Sequence, residues 1–358
     1  MEFHFISIVL LLFVPPISCS YEKEEAHGLL FEITNDEFGG LFLKVLRNKR
    51  TGEYVSIIYN FGGRVEDIVL LSPKTGKLRP VIWSHCRNAT SVRENGSWRG
   101  EMLIPYANRI SGGTYTFYGE TYHLPINEPN RNNAIDGLIF NQTLAVVDQE
   151  ADDKSATLTL RFVFDNVDPG YPFPLDMTLI YSLSDTGFSF KMIALNGDAH
   201  DPLPFYAGWH PYFLTTPYKT IVTFSNCTKW NHIDVTNNLI PTGTTELVEA
   251  FSDGLLIGGT ADEPTYFDDG YKPLLGPSVC PMYETTLHDM SNGETIVLWQ
   301  DSSFHYVQFY TGARTAFGVD AVVIVPMAGM TDCFNNHDGL IILSGNETWV
   351  GSFGVHLR

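Results

Sequence analysis

The sequence predicts an all-β protein whose antiparallel strands pack sheet on sheet, and three observations predict it. Alternation of polar and apolar residues dominates the chain. Turn signals separate the alternating segments, and no long amphipathic helical pattern appears. In chain order, residues 156–164 (ATLTLRFVF), 176–183 (DMTLIYSL) and 188–194 (FSFKMIA) alternate with period two. Residues 295–300, 306–310 and 349–357 do the same. Such segments, rich in Val, Ile, Thr and aromatics, read as half-buried strands. Asn196-Gly197, Ser291-Asn292-Gly293 and Ser344-Gly345-Asn346 supply the turns. The best helical candidate, residues 245–251, is short.

The N-terminus has its own pattern. Residues 5–14 form an apolar run broken only by Ser7, followed by Pro15, Pro16 and the small-residue exit Ser18-Cys19-Ser20. Charge begins at Glu22. This layout predicts a signal peptide over residues 1–20, cleaved after Ser20. The run is shorter than the roughly 20 apolar residues a membrane-spanning helix needs. Residues 21–358 show no linker or low-complexity stretch and read as one domain, a large sandwich.

With 41 acidic against 22 basic residues and a net charge of -19, the chain is a poor partner for nucleic acid or anionic lipid. Export fits five Asn-x-Ser/Thr sequons, at Asn88, Asn95, Asn141, Asn226 and Asn346, which predict a secreted glycoprotein. Cys86, Cys227, Cys280 and Cys333 remain after cleavage. In an oxidising compartment they are expected to form two disulfides and leave no free thiol, with the pairing open. There is no CxxC pair, phosphate loop or GxSxG elbow. Asp198, His200 and Asp201 read as a solvated turn rather than a metal site.

The most distinctive stretch is residues 105–128, PYANRISGGTYTFYGETYHLPINE, where Gly112-Gly113 and Tyr118-Gly119 bracket a short hairpin. With GGRVEDIVL (62–70), GWHPYF (208–213), YFDDGY (266–271), VPMAGMTDCFN (325–335) and GLIILSGNETWVGSFGV (339–355), it resembles the aldose 1-epimerase (galactose mutarotase) family over residues 29–357. The resemblance implies a large antiparallel β-supersandwich with a hexose-type sugar in a surface cleft. It also implies mutarotation, which needs no metal or cofactor. One group takes the proton from the anomeric hydroxyl, another protonates the ring oxygen, and the ring opens and recloses.

By that resemblance His210 is the acid, and Arg109 and Asp268 hold sugar hydroxyls. From the residues alone, His210 also reads as a hydrogen-bonded core histidine. Arg109 also reads as a structural ion pair with Glu101 or Glu128, and Asp269 is the register alternative to Asp268. Two positions depart from the family pattern. Asp136, in NNAIDGL (132–138), stands where the family has a sugar-contacting His, and Val325 stands where it has the base Glu. Asp136 is the candidate substitute base, with a turn residue before Gly137 as its plain reading; Asp332 and His337 are weaker substitutes. Three functions follow: a secreted sugar-binding relative with little mutarotase activity, a working epimerase with a relocated base, or a structural glycoprotein with a vestigial cleft. The ligand is a monosaccharide or glycan, and the sequence names no protein partner.

Overall fold

The computed structural model describes residues 29–358 apart from 166, 250, 252–253, 258–265 and 276–279. The expected signal peptide lies outside the described residues. The expected strands all form: Ser155–Val163, Leu175–Ser184, Gly187–Asn196, Glu294–Asp301, Tyr306–Tyr310 and Thr348–Leu357. Their alternation works as anticipated. Along Leu175–Ser184 every second residue, from Leu175 to Leu183, is buried. The register Leu179↔Met192 and Tyr181↔Phe190 then sets apolar against apolar on the neighbouring strand.

Three large antiparallel sheets make up most of the fold. A five-stranded meander runs in chain order from Phe31–Phe38 to Leu78–Pro80. A nine-stranded sheet has Thr348–Leu357 between Gly187–Asn196 and Glu294–Asp301. An eight-stranded sheet has Ala321–Met327 between Tyr306–Tyr310 and Gly208–Trp209, with Tyr212–Leu214 also paired to Ala321–Met327. Trp209 joins the two larger sheets. It comes from the eight-stranded sheet and stacks on Phe353 of the nine-stranded one at 5.1 Å, with Phe188 at 6.0 Å. Fully burying such a side chain contributes about 2–3 kcal/mol. Among the described residues no helix is long and apolar enough to cross a membrane.

Two expectations need correction. The helical candidate at 245–251 is largely strand, because Pro241–Val248 pairs with Trp230–Val235. Its mostly exposed, Thr-rich sequence suits a sheet edge better than a helix. The cysteines form one bridge, Cys227–Cys280, not two. Cys86 is exposed, while Cys333 is buried at the start of the short helix Cys333–Asn336 and donates an S–H hydrogen bond to the Asp338 carbonyl at 3.2 Å. An even count permitted two bridges, but the fold holds these two thiols in different surroundings. Thiol labelling of native protein is therefore expected to modify Cys86 alone, and labelling after denaturation without reductant to modify Cys86 and Cys333. No labelling in either state would contradict the single bridge.

Candidate active site

The cleft grows out of the pleat of the eight-stranded sheet. Trp209 points into the core, so His210 turns to the opposite face. Ala321–Met327 is buried along its whole length because it is covered on both faces. Val322 and Ile324 face one way; Val323 and Val325 face the cleft. Registers Gly208↔Met327 and Tyr212↔Val323 set His210 across from Val325. On the other side, Val325 pairs with Gln308 and Val323 with Tyr310, and Tyr310 pairs with Asp268. Two rows therefore cross the floor: His210, Val325, Gln308 and Tyr212, Val323, Tyr310, Asp268. The cleft above them has a volume of about 260 Å³.

The rim comes from the NRI segment and its partner. Arg109–Ser111 pairs with Asn133–Ile135, bringing Arg109 and Asp136 to one end of the cleft. The Arg109 guanidinium is braced by Glu128, with Nε to Oε2 at 3.0 Å and Nη2 to Oε1 at 3.1 Å. Its Nη2 also lies 3.8 Å from Asp268 Oδ2. Arg131 and Asn133 give Glu128 further hydrogen bonds, both within 3.0 Å. The structural pairing and the cleft position of Arg109 thus coexist. Its partner is Glu128; Glu101 instead pairs with Arg64 in a fully buried contact behind His210.

Asp136 serves both as a turn residue and as a cleft residue. It adopts φ 63° and precedes Gly137 at φ 79°, where a side chain would strike the Ile104 carbonyl at 2.4 Å. Its Oδ1 accepts the Asn108 N–H at 2.9 Å. Burial pushes its carboxyl up to about 7 against the pull of Arg109 and the Asn108 N–H. Burial also pushes the half-buried His210 imidazole down to about 4, and its buried Nδ1 has no hydrogen-bond partner among the described residues. The His210 backbone is fixed by Glu101 and Gly100, with N–H to O distances of 2.9 Å each way.

This arrangement can hold a polyhydroxylated ring, with acceptors and a guanidinium at one end and aromatic walls beside it. A match to the family model described as aldose 1-epimerase covers residues 45–356. The chain belongs to the aldose 1-epimerase family. It is 28% identical over 264 residues to the uncharacterised protein YihR of Escherichia coli (strain K12), covering 69% of this chain and 75% of that one. A galactose mutarotase-like protein from Clostridium acetobutylicum shares the fold with a TM-score of 0.76 at 19% identity, over 92% of this chain and 98% of the other. Galactose 1-epimerase from Lactobacillus acidophilus gives 0.73 at 15% identity, over 92% and 99%.

Within this family member, the residues singled out from sequence separate cleanly. His210, Arg109, Asp136, Asp268 and Val325 all line the one cleft. Asp269 does not, since its carboxylate faces His232 Nε2 at 2.9 Å. Asp332 accepts the Ser111 N–H away from the cleft, and His337 is exposed at the end of the short helix. Asp198 accepts the N–H groups of His200 and Asp201, closing a turn. Sequence reading missed Gln308, which donates from Nε2 to Asp268 Oδ1 at 2.9 Å. It also missed Asn108, which takes the Arg109 N–H at 2.8 Å. Strand alternation over 306–310 was the available signal for Gln308, a polar residue otherwise buried among Val307 and Phe309. Four sequon asparagines, Asn88, Asn141, Asn226 and Asn346, are exposed. Asn95 is half-buried, its Oδ1 accepting from Arg64 Nη2 at 3.3 Å.

Proposed function

We propose that this chain is a secreted sugar-binding member of the aldose 1-epimerase family with little mutarotase activity. One observation carries the reading. The position that holds the family's base is Val325, 2% exposed at the middle of the cleft floor between His210 and Gln308. An aliphatic side chain accepts no proton, and loss of a general base costs about 10²- to 10⁴-fold. The acid side is unfavourable as well. Burial holds the His210 imidazole below its ordinary range, which favours the neutral ring over the imidazolium at pH 7. The groups that would hold a hexose, Arg109 and Asp268 with Asp136 standing where the family has a His, line the same cleft.

The test is polarimetry on glucose and galactose, paired with calorimetric titration of the same sugars. Binding without acceleration supports the reading; fast mutarotation overturns it. A second reading, an active epimerase with Asp136 as base, draws on that carboxyl lining the same cleft as His210. Its signature is a rate profile with limbs near pH 4 and 7, set by His210 and Asp136, and activity that vanishes in Asp136→Asn. A third, a structural glycoprotein, requires that no aldose bind at millimolar concentration.

Export is part of the same proposal. Protein collected from the medium of secreting cells is expected to begin near Tyr21 and to lose mass on treatment with a peptide N-glycosidase. An intact Met1 or an unchanged mass would contradict it.

A further inference from the structure

We propose that the cleft takes a hexose whose anomeric oxygen is already substituted, a glycoside, in preference to a free aldose. This rests on the sugar-binding reading, in which the anomeric oxygen lies over the position of the family's base, and it goes on to name the ligand class. That position and its neighbour are branched aliphatic groups, Val325 and Val323, 2% and 0% exposed. The Gln308 amide that flanks Val325 spends one N–H on Asp268 Oδ1. A free anomeric hydroxyl set on these methyl groups finds polar partners only to its sides, at His210 and Gln308, and none in the carbon beneath it. A glycosidic ether oxygen has no proton to donate, and its alkyl group gains by contact with the valines.

The apolar floor also leads outward. Val323 is in register with Tyr212, and the Tyr212 ring lies 6.3 Å from that of Phe317, which lines the cleft and is 41% exposed. Val325, Val323, Tyr212 and Phe317 form a strip from the cleft floor to its rim. An apolar substituent on the anomeric oxygen has a path along this strip to solvent, while the sugar hydroxyls stay with Arg109, Asp136 and Asp268.

The experiment is calorimetric titration of the secreted protein with glucose, galactose, their methyl α- and β-pyranosides, and octyl β-glucoside below its micelle concentration. At least one methyl glycoside is expected to bind about 10-fold tighter than its parent sugar. Octyl glucoside is expected to bind several-fold tighter again, and Phe317→Ala, a change at an exposed side chain, to remove that extra gain. Val325→Thr keeps the shape and adds a hydroxyl partner, so it is expected to bring the free sugar within about 3-fold of its glycoside. Free hexoses binding as tightly as their methyl glycosides, or more tightly, overturns the inference and leaves the sugar-binding reading standing. Failure of every sugar to bind overturns both.

Discussion

Val325→Glu is expected to raise galactose mutarotation by about 100-fold over wild type. The substitution puts a carboxylate on the cleft floor, directly across the strand pair from His210. Two effects then act together. The carboxylate accepts the anomeric proton, and its charge beside His210 draws the imidazole pKa upward from about 4. One change therefore supplies the base and raises the population of the acid. The cost is burial of a charge at a site 2% exposed, which destabilises by roughly 3–5 kcal/mol where partners are incomplete. Thermal melting has to accompany the rate measurement. Val325→Gln, of the same size but unable to take a proton, is the control and is expected to leave the rate at the wild-type level. A glutamate variant that folds, binds sugar and remains as slow as wild type would show that the missing base is not what limits turnover.

Much of this was legible in the sequence, for physical reasons that differ by residue. Period-two alternation located Ser155–Val163, Leu175–Ser184 and Gly187–Asn196 because one face of each is buried. The same rule was silent for Ala321–Met327, a continuous apolar run, where only pairing partners reveal that Val323 and Val325 face the cleft. Motif reading singled out Arg109, His210 and Asp268, which share one cleft, since hairpin and strand fix them within short segments. It left Asp268 and Asp269 undecided until the register Asp268↔Tyr310 separated their faces. The ion pairs Arg109–Glu128 and Arg64–Glu101 join residues 19 and 37 positions apart. No local pattern encodes such a choice of partner. Burial moves the carboxyls of Asp136 and Glu101 in the same direction, both up to about 7. That effect depends on the packed surroundings and has no sequence signature.

Asp136→Asn is expected to stabilise the protein at pH 8 by about 2–4 kcal/mol and to leave it nearly unchanged at pH 4. The sign follows from the direction of the shift. The Asp136 carboxyl ionises near 3.8 in an unfolded chain and near 7 in the fold. Between those values the native state holds a proton that the unfolded state has released, so wild-type stability falls as pH rises through the window. Above pH 7 the full penalty is present, because a buried anion then sits near the carboxylates of Glu128 and Asp268. Asparagine does not titrate and presents the same acceptor to the Asn108 N–H, which Asp136 Oδ1 now takes at 2.9 Å. Arg109 keeps Glu128 and Asp268 as partners. Denaturant unfolding of both proteins across pH 4 to 8 is the measurement. Diverging curves, with the variant flatter, are the expected result; parallel curves would show that Asp136 ionises normally in the cleft. Diverging curves would mean that the carboxylate is held at a cost to the fold that an amide, which satisfies the turn equally well, would avoid.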